Sequence, residues 1–266
     1  MALHFLADDA ATLARAGVPD AVAAEDALRG TVSDARVGDA VVLTGAEAHH
    51  AVAVRRVRVG EEVTVGDGRG AWLSGVVEEP VAPKRLVVRI TARRDEPASV
   101  PRLVLVQALA KGDRDELAIQ AATELGVDEI VPWQAARSVS RWDAAKAAKG
   151  VARWQTIVRE AAKQAHRAWV PEVAQPVTTA QLAARCADAD VLLLEPTASV
   201  ALSSLVPDLA RDLVLVVGPE GGIAAEELDR LADAGARAVR LGDTVLRTST
   251  AGPAALALVN ARLGRW

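Results

Sequence analysis

Two stretches near the carboxyl end, DLVLVVGPEGGI (residues 212–223) and RLGDTVLRTSTAG (residues 240–252), decide the fold prediction. In each, glycine, proline or hydroxyl residues come directly after an apolar, strand-like run. A third stretch, DVLLLEPTA (residues 190–198), has the same order. Because open parallel sheets bind ligands beyond the carboxyl ends of their strands, these three stretches predict three ligand-binding loops.

The chain around these loops alternates apolar strands with helices from about Pro101 onward. RLVLVQAL (residues 102–109) and VDEIVPW (residues 127–133) are predicted strands, and the residues between them form a helix with Asp113 and Gly126 as its candidate caps. Further helices are predicted over residues 142–167, with Gly150 as a candidate break, from Thr178 or Thr179, over residues 224–235, and from about Thr250. Continuous Val and Leu runs between helices are typical of a mostly parallel sheet covered on both faces.

The amino-terminal part has a different pattern. Residues 38–93 contain short runs rich in Val, Leu, Ile and Thr, separated by Gly, Asp and Pro, which is typical of a small β-barrel. GDGRG (residues 66–70) resembles a phosphate loop, but it lies between two predicted strands and is interpreted as a hairpin turn. DEPASVP (residues 95–101) is a candidate linker, so the sequence predicts two domains.

Composition excludes several classes of protein. The chain has 266 residues, of which 51% are hydrophobic and 25% charged, as in an ordinary globular protein. Its single cysteine excludes an internal disulfide framework, and four histidines without a Cys-x-x-Cys pair predict no zinc site. No apolar run approaches the ~20 residues of a membrane span, and MALHFLADDA does not resemble a signal peptide. We therefore expect a cytoplasmic protein without metal or membrane partners.

The formal net charge of −4 hides three basic segments, residues 49–60, 81–94 and 133–170. Cations contact phosphates, and flat rings stack on unpaired bases. Four of the six tryptophans lie in the last segment: Trp133, Trp142, Trp154 and Trp169. Two interpretations remain open, contact with RNA or DNA, and a solvated helix face with core tryptophans.

The loop motifs leave alternatives open as well. GPEGG lets the backbone approach a ligand closely and points free N–H groups out of a helix start, although a tight strand-to-helix connection has the same composition. It lacks the lysine of a phosphate loop and the spacing of a dinucleotide fingerprint. Arg247 lies among hydroxyl residues that cap a helix, and it is also suited to stabilising a developing negative charge.

Five segments together resemble the RsmE family, the 16S ribosomal RNA uridine-N3 methyltransferases of the SPOUT superfamily. The resemblance extends from about His49 to the carboxyl terminus. The segments are HHAVAVRRVRVGEEV (residues 49–63), KGDRDELAIQAATELGVDEIVPW (111–133), EAAKQAHRAWVPEV (160–173), VVGPEGGI (216–223) and LGDTVLRTSTA (241–251).

The resemblance implies a PUA-like RNA-binding barrel over residues 1–98 and an α/β methyltransferase domain with a trefoil knot over residues 99–266. It implies S-adenosyl-L-methionine as cofactor, 16S rRNA of the small ribosomal subunit as partner, and a homodimer. The resemblance places Arg247 in the third loop, and we expect it to be the catalytic residue because it can stabilise the uridine anion. The implied cofactor-binding residues are Leu194, Glu195, Pro196, Gly218, Pro219, Glu220, Gly222, Leu241, Gly242, Val245, Leu246, Thr250 and Ala251.

The implied RNA-binding residues are His50, Arg56, Lys111, Arg114, Arg137 and Arg167, and the basic segment 81–94 adds Lys84 and Arg85 as RNA-binding candidates. Glu124, Gly126, Ser138, Glu160 and Gln164 also match family segments. Three positions depart from the pattern: Arg55 replaces the usual apolar residue, Ala121 stands where many relatives have lysine, and Ser249 where many have glutamate. A base role for that glutamate does not transfer, so a hydroxyl–water relay, Glu220 and solvent remain the candidate bases.

Three other functions are considered. Other members of the superfamily methylate the ribose 2′-oxygen or guanine. A non-catalytic RNA-binding or ribosome-assembly factor can retain the fold. A nucleotide-binding enzyme using GPEGG for phosphate is disfavoured, because the loop lacks lysine and the chain lacks a Mg²⁺-binding pattern.

Overall fold

The computed structural model describes residues 2–7, 12–14, 31–79, 85–206 and 208–266. Their contacts divide the chain into two units. The first unit comprises Met1–Ala98 and His166–Trp169, and the second comprises Ser99–Ala165 and Val170–Trp266. The second unit carries the three predicted loops.

The first unit is built on one sheet of six strands in the order β1-β4-β5-β6-β3-β2. All neighbours pair antiparallel except β1 and β4. Alternate strand residues such as Val41, Leu43 and Val63 enter a common core. A short helix α1 follows β3 and continues as a π-helical turn over His50–Val54. The elements are β1 Leu3–Leu6, β2 Thr12–Ala14, β3 Ala40–Thr44, α1 Gly45–His49, β4 Glu62–Gly66, β5 Ala71–Glu79 and β6 Arg85–Asp95.

The second unit contains a six-stranded sheet in the order β12-β10-β11-β7-β8-β9. Every neighbouring pair is parallel, which confirms the predicted parallel sheet. The strands are β7 Leu103–Ala108, β8 Glu129–Trp133, β9 Glu172–Val173, β10 Ala189–Leu194, β11 Asp212–Val217 and β12 Arg237–Val239. The helices are α2 Arg114–Glu124, α3 Ala144–Gln164, α4 Thr179–Ala184, α5 Ala225–Asp233 and α6 Thr248–Arg262.

Strand residues of the second unit alternate between two cores. Leu103, Leu105 and Leu215 face one side, where they join a cluster that includes Ile119 of α2 and Leu256 of α6. Val104, Val106 and Val214 face the other side and join a cluster with Leu182 of α4 and Leu231 of α5. Both faces are therefore covered by helices, which explains why these strands are continuous apolar runs rather than alternating ones.

The helix predicted over residues 142–167 is present, but it is shorter at both ends and has no break at Gly150. α3 runs from Ala144 to Gln164 and continues through Gly150. Gly150 lies against the Trp142 ring, so close that an added Cβ would lie 2.4 Å from the ring. The glycine therefore permits packing instead of interrupting the helix. Past the carboxyl end of α3, His166 has a φ of +53°, which no helix tolerates.

Residues 166–169 pack inside the first unit. The Trp169 indole Nε1 donates a hydrogen bond to the Glu96 carbonyl (2.8 Å), and the Gly70 amide donates to the Ala168 carbonyl (3.0 Å). Gly70 has a φ of +107°, and a Cβ there would lie 2.9 Å from the Trp169 ring. The predicted GDGRG turn between β4 and β5 is therefore also the surface against which this segment packs.

The tryptophans of the third basic segment do not form an exposed stacking surface. Trp133 and Trp154 are 0% and 1% exposed, and Trp142 packs edge-on against Trp154 at 5.4 Å between ring centroids. These rings belong to the core, as the second interpretation expected. In the described part of the chain, no helix has the length and apolar character to cross a membrane. The same residues contain no cluster of three or more metal-binding side chains.

Candidate active site

Three loops meet at one edge of the parallel sheet of the second unit. The first loop (residues 195–201) follows β10, the second loop (residues 218–224) follows β11, and the third loop (residues 240–247) follows β12. Leu194 at the end of β10 pairs with Val217 of β11 and Val239 of β12. The loops are therefore neighbours, and they enclose a cavity of about 670 Å³. This volume lies within the range of small-molecule and cofactor sites.

The predicted cofactor residues line this cavity, with one exception. Thr250 is exposed on the first turn of α6 and does not line it. Arg247, predicted as catalytic, and Arg114, predicted as RNA-binding, also line it. The lining residues that were not predicted are Thr197, Val217, Gly221, Ile223, Thr244 and Thr248. Each of them is adjacent in sequence to a predicted residue. The pattern of apolar strands followed by glycine, proline or hydroxyl residues therefore identified the right loops, although it did not identify these residues.

The second loop is closely packed around its glycines. A Cβ on Gly218 would lie 2.7 Å from Cγ1 of Ile223, and Gly222 has a φ of +73°. The Arg137 Nη1 donates a hydrogen bond to the Gly221 carbonyl (3.1 Å). Glycine is needed at residue 218 for close approach and at residue 222 for the left-handed backbone.

The Glu220 carboxylate of the second loop is held by the segment between β7 and α2. Its Oε1 accepts hydrogen bonds from the Lys111 amide and from Nη1 of Arg114, both at 3.0 Å. Burial alone raises the pKa of Glu220, but the backbone hydrogen bonds and the Arg114 guanidinium outweigh it, and the pKa is lower than its ordinary value. Glu220 is therefore an ionised carboxylate at neutral pH.

The hydroxyl group expected to cap α6 has another role. The helix begins at Thr248, not near Thr250, and Arg247 is its N-cap residue without a side-chain capping bond. The Thr248 Oγ1 donates to the Gly218 carbonyl (3.1 Å) and accepts a hydrogen bond from Nε2 of the buried Gln107 (3.0 Å). Thr248 therefore connects the start of α6 to the second loop.

The first and third loops are connected by Arg240, which the sequence did not single out. Its Nη1 donates to the Ser199 carbonyl (2.6 Å), and its amide donates to the Val200 carbonyl (2.9 Å). Within the first loop, the Glu195 carboxylate accepts a hydrogen bond from the Thr197 hydroxyl (3.0 Å). Arg240 thus fixes the beginning of the third loop, and residues 242–245 that follow Leu241 are exposed.

The Arg247 side chain is exposed at the cavity, and within the described part of the chain no hydrogen bond or ion pair is assigned to it. Ser249, at the position of the family's glutamate, is half-buried and does not line the cavity. The site therefore offers an arginine free to bind a substrate oxygen, but no carboxylate at residue 249.

The predicted RNA-binding residues fall in both units. His50, Arg56, Arg85 and Arg167 belong to the first unit, and Lys111, Arg114 and Arg137 belong to the second. Arg56 is exposed and has a φ of +54°. Lys84 lies outside the described residues.

Comparisons with known proteins identify two RNA methyltransferase domains in the chain. Residues 96–260 match a family model described as RNA methyltransferase domain, and residues 43–91 match one described as RNA methyltransferase PUA domain. Ribosomal RNA small subunit methyltransferase E of Mycobacterium bovis is 46% identical over 234 residues, covering 86% of this chain and 89% of that protein. The Bacillus subtilis protein of that name is 35% identical, covering 82% of this chain and 88% of that protein.

A solved structure gives the same result. The crystal structure of ribosomal RNA small subunit methyltransferase E from Neisseria gonorrhoeae, bound to S-adenosyl methionine, has a TM-score of 0.75 and 29% identity. The match covers 85% of this chain and 93% of that chain. Fold and cavity thus define an RNA methyltransferase with a PUA domain. The chain belongs to the ribosomal RNA small subunit methyltransferase E family, which confirms the resemblance.

Proposed function

We propose that this protein transfers a methyl group from S-adenosyl-L-methionine to N3 of a uridine in 16S rRNA of the small ribosomal subunit. The observation that carries the proposal is the cavity of about 670 Å³ enclosed by three neighbouring strand-end loops. Family membership and the cofactor bound in the Neisseria gonorrhoeae structure support the same reaction.

The cavity fits the cofactor in size and chemistry. The second loop has no side chain at Gly218, Gly221 and Gly222, so a ligand can approach its backbone closely. Leu194, Leu241 and Leu246 supply apolar walls for a flat ring. When bound, the cofactor supplies a methyl group on a sulfonium, which is a good electrophile.

Arg247 is proposed as the catalytic residue. Uridine N3 becomes nucleophilic when its proton passes to one of the candidate bases, a hydroxyl–water relay, Glu220 or solvent. The negative charge then spreads onto O2 and O4 of the base. A guanidinium at the cavity stabilises that charge by the same logic as an oxyanion hole. Because methyl transfer needs an in-line approach, orientation of the uridine in the cavity supplies further acceleration.

The RNA substrate is proposed to contact cations of both units. Arg56, Arg85 and Arg167 would bind phosphates from the first unit, together with His50 and Lys84. Lys111, Arg114 and Arg137 would bind RNA near the cavity. Because N3 is on the Watson–Crick edge, the target uridine must be unpaired or turned out of its helix when it reacts.

Four further properties are proposed from the family resemblance. Residues 1–98 serve as the RNA-binding domain, and residues 99–266 as the catalytic domain with a trefoil knot. The active protein is a homodimer, to whose interface α6 contributes. The protein works in the cytoplasm, where small ribosomal subunits are found, and it needs no metal.

The proposal is tested by methyl transfer from labelled S-adenosyl-L-methionine to small ribosomal subunits that lack the modification. Nucleoside digestion and mass spectrometry then identify the product. A 3-methyluridine product is expected. A 2′-O-methylated nucleoside or a methylguanosine would overturn the proposed target, and failure to bind the cofactor would overturn the enzyme function itself.

A further inference from the structure

Four charged side chains line the cavity: Arg114, Glu195, Glu220 and Arg247. Only Arg114 and Glu220 form an ion pair among the described residues that line it, with 3.0 Å between Nη1 and Oε1. The pair joins two segments distant in sequence, the start of α2 and the second loop. The Lys111 amide binds the same oxygen, so the contact also fixes the backbone before α2.

The pair leaves most of the Arg114 guanidinium available. An arginine has five N–H donors in one plane, and the hydrogen bond to Glu220 uses Nη1. The Arg114 side chain is 46% exposed, against 23% for Glu220. The carboxylate is therefore the more buried partner, and the guanidinium is the more exposed partner at the cavity wall. A planar donor fork of this kind matches the oxygens of a phosphate.

Glu220 itself is poorly suited to accept the uridine proton. Its carboxylate already binds a guanidinium and a backbone amide, and these contacts lower its pKa. A general base works best with a pKa near the operating pH, so the contacts act against that role. The same contacts are what an anchor for Arg114 requires.

We propose that Arg114 binds a backbone phosphate beside the target uridine, and that Glu220 is a positioning residue that holds Arg114 in the orientation for this contact. This inference rests on the proposed function and adds a division of labour between the two cavity arginines. Arg247 acts on the reacting base, and Arg114 acts on the RNA backbone. Holding the guanidinium in place before RNA binds reduces the entropy lost on binding.

A double-mutant cycle on the full-length protein tests the inference. The variants are R114Q, E220Q and R114Q/E220Q, with R237Q as the matched control. Arg237 also pairs with a carboxylate, Asp190 at 2.6 Å, but it lies at the start of β12, away from the cavity edge of the sheet. Each variant is assayed for cofactor Kd, for Kd of a 16S rRNA fragment, and for KM and kcat on small subunits lacking the modification.

We expect R114Q and E220Q each to raise the RNA Kd and KM about tenfold, with kcat and cofactor Kd changed by less than about threefold. The double variant is expected to resemble R114Q, because Glu220 acts through Arg114. R114Q also lowers the salt-dependence slope of RNA binding by about 1. E220D partly restores RNA affinity, and R237Q resembles wild type.

Other outcomes overturn the inference. A collapse of kcat in E220Q with unchanged KM would make Glu220 a catalytic residue. A rise of at least about tenfold in the cofactor Kd of E220Q would make Glu220 a cofactor ligand. If the increases in RNA Kd caused by R114Q and E220Q multiply in the double variant, Glu220 does not act through Arg114. Wild-type protein that binds the rRNA fragment but does not methylate would refute the proposed function, while the binding cycle still decides this inference.

Discussion

The second and third loops line the same cavity but are held in different ways. The second loop receives hydrogen bonds from three separate elements, through Thr248 to Gly218, Arg137 to Gly221, and the Arg114–Glu220 pair. The third loop is fixed at its first residue by Arg240 and at its last by the start of α6. Between them Val245 is 79% exposed.

The difference indicates two roles within one site. A loop held by several contacts is pre-organised, so it binds a ligand without losing much entropy. A loop with few buried contacts belongs to the less stable part of a protein and adapts when a substrate arrives. We infer that the second loop forms a fixed cradle, whereas the third loop brings Arg247 to the substrate.

The largest effect is expected at Arg247. Arg247→Ala should reduce kcat by about 100- to 1,000-fold, as removal of an oxyanion-stabilising donor does in other enzymes. Cofactor Kd should change by less than about threefold, because the fixed second loop is intact. Single-turnover kinetics and calorimetry measure the two quantities. Unchanged turnover would remove Arg247 from the catalytic role.

A methyl group added to the second loop tests its close packing. In Gly218→Ala the new Cβ would meet Cγ1 of Ile223 at 2.7 Å, so the loop must shift. We expect cofactor affinity to fall about tenfold. Gly221→Ala also adds a methyl group to the cavity wall, but its Cβ would lie an ordinary 3.4 Å from the Arg137 side chain, so the loop need not shift. Comparing the two variants therefore separates the effect of loop packing from that of the added methyl group. Equal affinities of the two variants, measured by calorimetry, would contradict a fixed cradle.

The Thr248 hydroxyl tests the contact that holds the second loop against α6. Thr248→Val leaves the Gly218 carbonyl and the buried Gln107 amide without this partner, at a cost of about 1–3 kcal/mol in unfolding free energy. The control Thr250→Val, on the exposed side of the same turn, should change the unfolding free energy by less than about 0.5 kcal/mol. Urea unfolding compares them, and equal losses would mean that the buried contact contributes nothing.

The smallest effect concerns pH. The pKa of Glu220 is lowered in the folded protein, so its stabilising contribution is present above the ordinary glutamate pKa of about 4.3. That contribution is lost as the pH falls through the lower, folded pKa. Because the pair is partly exposed, it is worth less than about 1 kcal/mol. Wild type and E220Q should differ in urea midpoint by a constant amount between about pH 6 and 9 and converge in acid. A difference that persists in acid would exclude a charge effect.

Local sequence patterns found the strands and the loops, because apolar runs followed by glycine and proline are local signals. They did not give the strand order, which places β12 beside β10 and so brings the third loop to the first. That order depends on contacts between distant segments. Arg240 was missed for the same reason, since its partner carbonyls lie about forty residues earlier in the chain.

Some local signals were also ambiguous. Three hydroxyl residues follow Arg247, and each is a plausible helix cap by composition. The structure uses Thr248 for a tertiary contact instead, because Gly218 and Gln107 lie beside it. Likewise, a glycine within a helical pattern suggests a break, and only the position of the Trp142 ring shows that Gly150 is needed for close packing.

The placement of residues 166–169 in the first unit has a consequence for synthesis on the ribosome. The last strand of that unit, β6, ends at Asp95, but the unit is complete only when Trp169 has been made, 74 residues later (169 − 95). The ribosome adds about 5–20 residues per second, so roughly 4–15 seconds pass before the final segment of this unit has been made. During that interval Gly70 and Glu96 lack the backbone and indole partners that residues 168 and 169 provide. The amino-terminal unit is therefore translated first but finished late.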